Sequence, residues 1–241
     1  MASFTLLTAG NPKLLKGEKV GYQSFALHLA PADLSGWNVC AASTEGCRMA
    51  CIHHQGRAGI IRKGDRDNAI IRARLRRTRW FFQDRAAFMA ELVADVKRAI
   101  KRAQHRSLIP VFRLNATSDI RWERVPVMGA PNIMALFPDV QFYDYTKIGN
   151  RRNLPANYTL TFSLAENNEA RALSELNAGG NIAVVFRTKE RVAQAIAEGY
   201  LGYPVFCGDD SDLRFLDPRG HVIALYAKGT GKRDQSGFVR D

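Results

Sequence analysis

The sequence lacks the signatures of several common protein classes. No run approaches the roughly 20 apolar residues of a membrane helix, and residues 1–17 lack the apolar segment with basic flanks of a signal peptide. No glycine-rich dinucleotide motif follows a strand, and the phosphate-loop and Gly-x-Ser-x-Gly signatures are missing. We therefore expect a cytoplasmic protein with reduced thiols and no membrane partner, which does not hydrolyse nucleotides by the common routes.

Cysteine is scarce but clustered, since three of the four cysteines lie within a dozen residues, at Cys40, Cys47 and Cys51. Thiolates this close in sequence suit a soft metal centre such as an iron-sulfur cluster or zinc. The spacing matches neither a zinc ribbon nor a ferredoxin, and three ligands leave one position for a substrate or a further ligand. The candidates for that ligand are His53, His54 and Cys207. Small buried residues or half of a disulfide are the alternatives.

Acidic residues are outnumbered by basic ones, 23 against 35, and the excess is concentrated. Residues 57–106 contain 15 Lys and Arg against 5 Asp and Glu, a local charge of +10. A helix from about Asp65 would place Arg72, Arg76 and Arg79 on one side, with Arg57 in the loop before it. Arginine suits phosphate, so this pattern predicts a nucleic-acid surface, for DNA rather than RNA. An ordinary solvated helix face is the alternative.

Short apolar runs alternate with helical patterns along most of the chain. Strands are predicted at 21–29, 108–114, 140–145, 158–162, 182–186, 205–206 and 222–227, and helices from about Asp65, from about Asp84, and over 169–176 and 190–198. This alternation predicts an α/β fold, a full or partial TIM-like (β/α) barrel in a single domain of residues 21–228. A doubly wound sheet is the alternative. Residues 1–20 would be an extension, 40–54 a cysteine loop, 65–104 a basic helical segment and 229–241 an exposed tail.

Polar residues follow several predicted strands, where parallel sheets collect their chemistry. The candidate catalytic residues are Asn115, Asp119, Arg121, Glu123, Asp144 and Lys147, and the candidate cofactor-binding residues are Ser163 and Lys228. Asp119 suits a base or a nucleophile, and Asn115 suits binding of a base edge or a cofactor. An ion pair between Asp119 and Arg121, and solvated strand ends for the two lysines, are the alternatives. His28 is expected to be a satisfied core histidine.

Several motifs resemble the gene product 88 family of phage and plasmid proteins over most of the chain. They are Asn-Val-Cys40, Glu-Gly-Cys47, Ala-Cys51, Arg-Leu-Asn115-Ala-Thr-Ser-Asp119-Ile-Arg121-Trp-Glu123, Asp212-Leu-Arg-Phe-Leu-Asp217 and Ala-Lys228-Gly. The cysteines after a first strand are also similar to phage radical-SAM-like proteins. That similarity implies a [4Fe-4S] cluster on Cys40, Cys47 and Cys51, with S-adenosylmethionine on the open iron. If the protein is encoded by a phage, its cytoplasmic location is the host cytoplasm.

These observations lead to three hypotheses about function. The first is a radical-SAM-like enzyme that modifies nucleic acid, with its cluster at the mouth of a barrel. The second is a zinc-containing, deazaguanine-type DNA base transglycosylase, with Asp119 or Asp144 as nucleophile. The third is a non-catalytic nucleic-acid-binding protein in which zinc fixes the 40–54 loop. The sequence predicts no oligomeric state.

Overall fold

The structure, a computed structural model, describes residues 5–10, 12–62 and 65–241, without the side chain of His54. The helices are α1 (Pro12–Leu15), α2 (Glu45–Met49), α3 (Ala69–Gln83), α4 (Arg85–His105), α5 (Ile133–Leu136), α6 (Glu169–Asn177) and α7 (Lys189–Glu198). The strands are β1 (Leu7–Thr8), β2 (Tyr22–Leu27), β3 (Ile109–Arg113), β4 (Gln141–Thr146), β5 (Tyr158–Ser163), β6 (Asn181–Phe186), β7 (Val205–Cys207), β8 (Val222–Tyr226) and β9 (Val239–Arg240).

The predicted α/β class is confirmed, because the nine strands form a mostly parallel sheet accompanied by helices. Each predicted strand and helix has a counterpart in the structure. A closed barrel is not confirmed, since the sheet formed by the described residues does not close on itself. No helix in the described part of the chain is both long and apolar enough to cross a membrane.

The chain divides into two compact units. The first contains Met1–Cys40, Ala69–Asp144 and Arg152–Thr159, and the second contains Ala41–Asn68, Tyr145–Arg151 and Leu160–Asp241. The division separates Cys40 from Cys47 and Cys51, and it also runs through β4 and β5.

In the first unit, β2 pairs with β1 in antiparallel and with β3 in parallel orientation, and β3 pairs in parallel with β4. The register Phe25↔Phe112↔Phe142 brings three aromatic rings together, with centroids 5.5 Å apart at both steps. Phe81 of α3 packs edge-on against Phe88 of α4 with ring centroids 5.3 Å apart. These rings form part of the apolar core of the unit, since aromatic side chains bury large areas and pack in stacked or edge-on pairs.

Helix α3 begins later than predicted, at Ala69 rather than near Asp65. Just before it, the Asn68 side chain donates hydrogen bonds to the carbonyls of Ala58 (3.0 Å) and Ile60 (2.9 Å). These bonds hold the preceding segment as a turn, because an Asn side chain competes with helical backbone hydrogen bonds.

Helix α4 begins after Asp84, whose carboxylate accepts a hydrogen bond from the Ala87 backbone N–H at 3.0 Å. Farther along, buried Asp95 accepts backbone hydrogen bonds from Leu6 (2.5 Å) and Leu7 (3.0 Å), which ties β1 to the helix. The carboxylate is therefore structural. The other oxygen of the Asp95 carboxylate forms an ion pair with Arg98, at 2.6 Å.

In the second unit, β6 pairs in parallel with β5 through its first half and with β9 through its last two residues. Strand β6 also pairs in parallel with β8, from Ile182 to Phe186. Strand β8 in turn pairs in parallel with β7. Helices α6 and α7 contribute Ala172, Leu176, Val192 and Ala195 to the apolar core. The expectation of an exposed tail does not hold for Phe238 and Val239, which are buried because β9 extends the sheet.

Candidate functional site

The helix that carries Cys47 is held by the loop that follows β5. Thr44 caps α2 by accepting a hydrogen bond from the Cys47 backbone N–H at 3.2 Å. Glu166 in turn accepts hydrogen bonds from the Thr44 hydroxyl (2.7 Å) and from the Gly46 N–H (2.8 Å). A carboxylate at the first turn of a helix is stabilising, since it satisfies unpaired N–H groups. The start of α2 is therefore fixed to the carboxyl end of β5.

The other end of the cysteine segment is held from the region after β8. The Thr230 hydroxyl donates to the Met49 carbonyl at 3.2 Å, and the Gln55 amide donates to that hydroxyl at 3.3 Å. Between these anchors, Gly46 leaves no room for a side chain, because a Cβ there would lie 2.0 Å from the Ser236 Oγ. The C-terminal segment is thus packed directly against α2.

The Cys47 side chain packs on an apolar cluster at the carboxyl ends of the strands. The cluster consists of Ala165, Ala227, Phe238 and Val239, with Val185 and Ala50 against it. Cys51 lies four residues after Cys47, and its sulfur accepts a hydrogen bond from the His53 N–H at 3.5 Å. Neither cysteine forms a disulfide, and both are partly exposed. The second unit therefore presents two thiols at the edge of the sheet where α/β proteins place their chemistry.

Two predicted site residues, Lys147 and Ser163, lie together at this edge. The Lys147 ammonium donates to the Ser163 hydroxyl at 2.9 Å, and it lies 5.1 Å from the centroid of the Phe238 ring. Phe238 is the same ring that packs in the Cys47 cluster. The Lys147 ammonium and the Cys47 side chain thus share Phe238 as a neighbour, and the ammonium with its Ser163 partner can hold an anionic or polar group of a substrate.

Lys228 follows β8 and is paired with a carboxylate that follows β7. Its ammonium lies 2.7 Å from Asp209, and Asp209 also accepts a hydrogen bond from the Tyr226 N–H at 2.9 Å. Nearby in sequence, Cys207 ends β7, and burial raises the pKa of its thiol. A raised pKa favours the protonated thiol, which is a poorer metal ligand than a thiolate.

In the first unit, Asn115 organises the loop that follows β3. Its side-chain oxygen accepts hydrogen bonds from Ser118 (2.9 Å), the Ile120 N–H (2.9 Å) and the Trp122 indole (3.0 Å). Its side-chain nitrogen donates to the Ile120 carbonyl at 2.8 Å. A buried amide with this many partners fixes a loop conformation. The geometry gives Asn115 a structural role.

Asp144 lies inside the protein and supports the same loop. Its side chain has no solvent exposure. One carboxylate oxygen accepts from the Asn115 N–H at 2.7 Å and the other from the Tyr158 hydroxyl at 2.9 Å. Both oxygens are occupied, so action as a nucleophile would require breaking a buried hydrogen bond.

The remaining candidates on this loop are more accessible. The Asp119 N–H donates to the Val39 carbonyl at 2.8 Å, and the Cys40 sulfur lies 4.0 Å from the Thr117 carbonyl. Cys40 is therefore placed beside the loop that carries Asp119. Asp119, Arg121 and Glu123 are all partly exposed.

The predicted arginines are placed as expected on α3. Arg72, Arg76 and Arg79 are exposed, whereas the opposite face of the helix buries Ile71 and Phe81. Arg57 is also exposed, in a 3₁₀ turn of the second unit. Two further arginines of the basic run form ion pairs within the protein. Arg98 pairs with Glu91 at 2.5 Å, and Arg106 pairs with Glu18 at 2.6 Å.

The described residues do not form a ready-made metal centre. No group of three or more His, Cys, Asp or Glu side chains in the ranges given above is arranged to hold a metal ion. Cys40 belongs to the first unit and Cys47 and Cys51 to the second, His53 is buried, and the side chain of His54 lies outside the described part. Iron-sulfur or zinc ligation stays a prediction.

Sequence reasoning missed the residues that position the thiols. Glu166, Thr230 and Phe238 lie more than a hundred positions from Cys47, and only the fold brings them to α2. The signal that was available is the Gly-Cys pair at positions 46 and 47, because a glycine inside a short helix indicates a close approach of another segment.

The fold and these contacts define a class: an α/β protein with a mostly parallel sheet whose thiol-bearing and cationic side chains collect at the carboxyl ends of the strands. The chain belongs to the gene product 88 family, whose model matches residues 5–241. The family prediction is confirmed. No curated protein and no solved structure matches the chain.

Proposed function

We propose that this protein is an enzyme that modifies a nucleic acid, DNA rather than RNA, and that the Cys47–Cys51 segment is its reactive element. The observation that carries the proposal is the double anchoring of α2. Glu166 and Thr230 fix the two ends of the helix, and Gly46 allows the C-terminal segment to pack against it. Such specific positioning of partly exposed thiols exceeds what a structural cysteine needs.

Lys147 and Ser163 are the best candidates to hold the substrate beside the thiols. Their hydrogen bond presents a cation and a hydroxyl at the carboxyl edge of the second unit. A lysine ammonium neutralises a phosphate as a point charge. We propose that this pair orients an anionic group of the substrate.

A test compares DNA nucleosides, by mass spectrometry, from cells that produce the wild type, Cys47→Ser or Cys207→Ser. A modified nucleoside is expected with the wild type and with Cys207→Ser but not with Cys47→Ser. Cys207 is the matched control, because it is a partly exposed cysteine at another strand end of the same unit. Identical nucleoside profiles in all three samples would count against the proposal.

The metal-dependent form of the proposal adds a [4Fe-4S] cluster on Cys40, Cys47 and Cys51, with S-adenosylmethionine as cosubstrate and a barrel-like site. Zinc on the same thiols is the alternative. The thiol chemistry suits either ion. Elemental analysis of protein purified without air separates the two metals: iron supports the radical-SAM-like form, and stoichiometric zinc excludes it and leaves the transglycosylase and the non-catalytic zinc protein.

In the transglycosylase form, Asp119 is a better nucleophile candidate than Asp144. Asp119 is partly exposed, whereas both oxygens of buried Asp144 accept hydrogen bonds. Base exchange without S-adenosylmethionine, abolished by Asp119→Asn, would identify this form.

The contribution of α3 to nucleic-acid binding is tested by the salt dependence of DNA affinity. Replacing Arg72, Arg76 and Arg79 by Gln should lower the slope of log affinity against log salt by about one for each of these arginines that binds a phosphate. The control is a variant with Arg98, Arg102 and Arg106 replaced, which removes the same charge from α4 and its end. An equal effect in both variants would indicate net charge rather than a defined surface. A DNA-binding protein that modifies no nucleoside would favour the non-catalytic alternative.

A further inference from the structure

An open cleft of the second unit is lined by side chains that have no role in the function proposed above. It measures about 490 Å³ and is lined by Arg187, Thr188, Lys189, Glu190, Tyr226 and Lys232. These residues come from the ends of β6 and β8, the start of α7 and the 3₁₀ turn Gly229–Arg233. The cleft is therefore at the carboxyl end of the parallel strands, the usual place for a ligand.

Three lysines surround the aromatic ring of Tyr226, and two of them, Lys189 and Lys232, line the cleft. The ammonium groups of Lys228, Lys189 and Lys232 lie 5.2, 5.4 and 5.9 Å from the ring centroid. Lys228 and Lys232 belong to the turn that follows β8, whereas Lys189 is brought to the ring from the start of α7 by the fold. Like charges repel one another, and gathering three of them around one ring favours binding of an anion there.

The three lysines differ in their acidic neighbours, and the charge of Lys189 helps to lower the pKa of the adjacent Glu190 carboxyl. Lys228 pairs with Asp209, but Lys189 and Lys232 form no ion pair with a carboxylate in the part of the chain that the structure describes. Arg187 pairs with Asp241 and also donates to the carbonyls of Lys232 (3.1 Å) and Asp234 (2.9 Å). Arg187 thus holds the turn that carries Lys232, while the two lysines keep their charge available.

The start of α7 adds backbone N–H donors to the same cleft. The helix has ten residues, and its N-cap Thr188 accepts a hydrogen bond from the Arg191 N–H at 3.1 Å. Thr188 and Lys189 line the cleft, so the positive end of the helix dipole faces it. Glu190 is the acidic residue among the lining side chains. Its carboxylate accepts hydrogen bonds from its own backbone N–H and from the Thr188 hydroxyl, which lower its pKa, so it competes with an anion for the start of the helix.

We propose that this cleft binds a nucleotide, with its phosphates on Lys189, Lys232 and the start of α7, and its base against Tyr226. An aromatic ring with adjacent cations matches a ligand that combines a flat ring with phosphate. The inference does not depend on the thiol chemistry proposed above, because it uses none of the same side chains.

Isothermal titration calorimetry of the full chain tests the proposal with ATP, AMP, inorganic pyrophosphate and a short oligothymidylate. ATP should bind the wild type more tightly than pyrophosphate, and a variant with Lys189→Gln and Lys232→Gln should lose about tenfold or more in affinity, about 1.4 kcal/mol. Tight binding of the oligothymidylate with the same loss, and weak binding of ATP and AMP, would identify a nucleic-acid strand as the source of the nucleotide.

Control variants separate the cleft from net charge and from misfolding. Lys97→Gln with Lys101→Gln removes the same charge from exposed positions of α4 and should leave affinity within about twofold. Glu190→Gln should strengthen phosphate binding, and Tyr226→Leu should reduce ATP affinity to that of pyrophosphate. Absence of binding to every probe, or an equal loss in the two double variants, would overturn the proposal.

Discussion

The two units place polar side chains at the carboxyl ends of strands in opposite ways. In the first unit, Asn115 and Asp144 are buried, and their side-chain oxygens are occupied by hydrogen bonds. In the second unit, Lys147 and Lys228 remain partly or fully exposed. Position in the sheet is therefore not enough to identify a functional residue. A polar group that is buried and satisfied holds a loop in place, whereas an exposed group with capacity for further contacts can bind a ligand.

The largest expected effect is on stability, from Asp144→Ala. The substitution leaves the Asn115 N–H and the Tyr158 hydroxyl without their acceptor inside the protein. We expect a loss of about 3–5 kcal/mol in the free energy of unfolding, measured by urea denaturation. Lys147→Ala in the second unit is the comparison and should cost no more than about 1 kcal/mol. Similar losses for the two variants would remove the contrast between the units.

The next prediction concerns the pH dependence of stability, which we expect to arise from His28 in the first unit. Burial, with nearby Arg74 and Arg113, lowers the pKa of His28 from 6.5 to about 3. The unfolded chain therefore binds a proton between these pH values that the folded chain does not, so stability falls as the pH drops below about 6.5. The slope from this group approaches about 1.4 kcal/mol per pH unit. His28→Gln should flatten the dependence of unfolding free energy on pH between about 6 and 4.

A smaller effect is expected from Gly46→Ala in the second unit. The added Cβ would lie 2.0 Å from the Ser236 Oγ and 2.8 Å from the Phe238 Cβ. Overpacking of this kind costs about 1–3 kcal/mol. Gly231→Ala is the control, because the nearest atom to its Cβ would be 3.6 Å away. An undisturbed melting temperature in Gly46→Ala would show that α2 is not held tightly against the C-terminal segment.

The sequence predicted the element types well, and for a physical reason. Apolar alternation indicates a strand with one buried face, and helical periodicity indicates a helix with one buried face. Because these faces are buried in the protein, the patterns located β3 at Ile109–Arg113 and α7 at Lys189–Glu198. Two-residue β9 was missed because Val239–Arg240 is too short to show a period. The proximity of Lys147 and Ser163 could be expected from the sequence, since both residues stand at the ends of predicted parallel strands.

The role of each site residue was less predictable. The sequence does not show whether an Asn in a polar loop binds a substrate or fixes the loop. The structure distinguishes the two roles, because three hydrogen-bond donors surround the Asn115 side-chain oxygen. The cluster of cations around Tyr226 was missed because Lys189 comes from a separate segment, α7, while Lys228 and Lys232 lie in the turn after β8. The capping sequence Thr188-Lys189-Glu190 and the short spacing from Tyr226 to Lys228 were the available signals.

The most direct test of the central contrast measures nucleoside modification and folding in the same two variants, Cys47→Ser and Asn115→Ala. The account predicts that Cys47→Ser unfolds at a urea concentration close to that of the wild type and yields no modified nucleoside. Asn115→Ala should unfold at a clearly lower concentration yet keep its activity per folded molecule at low temperature. The opposite pattern, a stable but inactive Asn115→Ala and an active Cys47→Ser, would contradict the account.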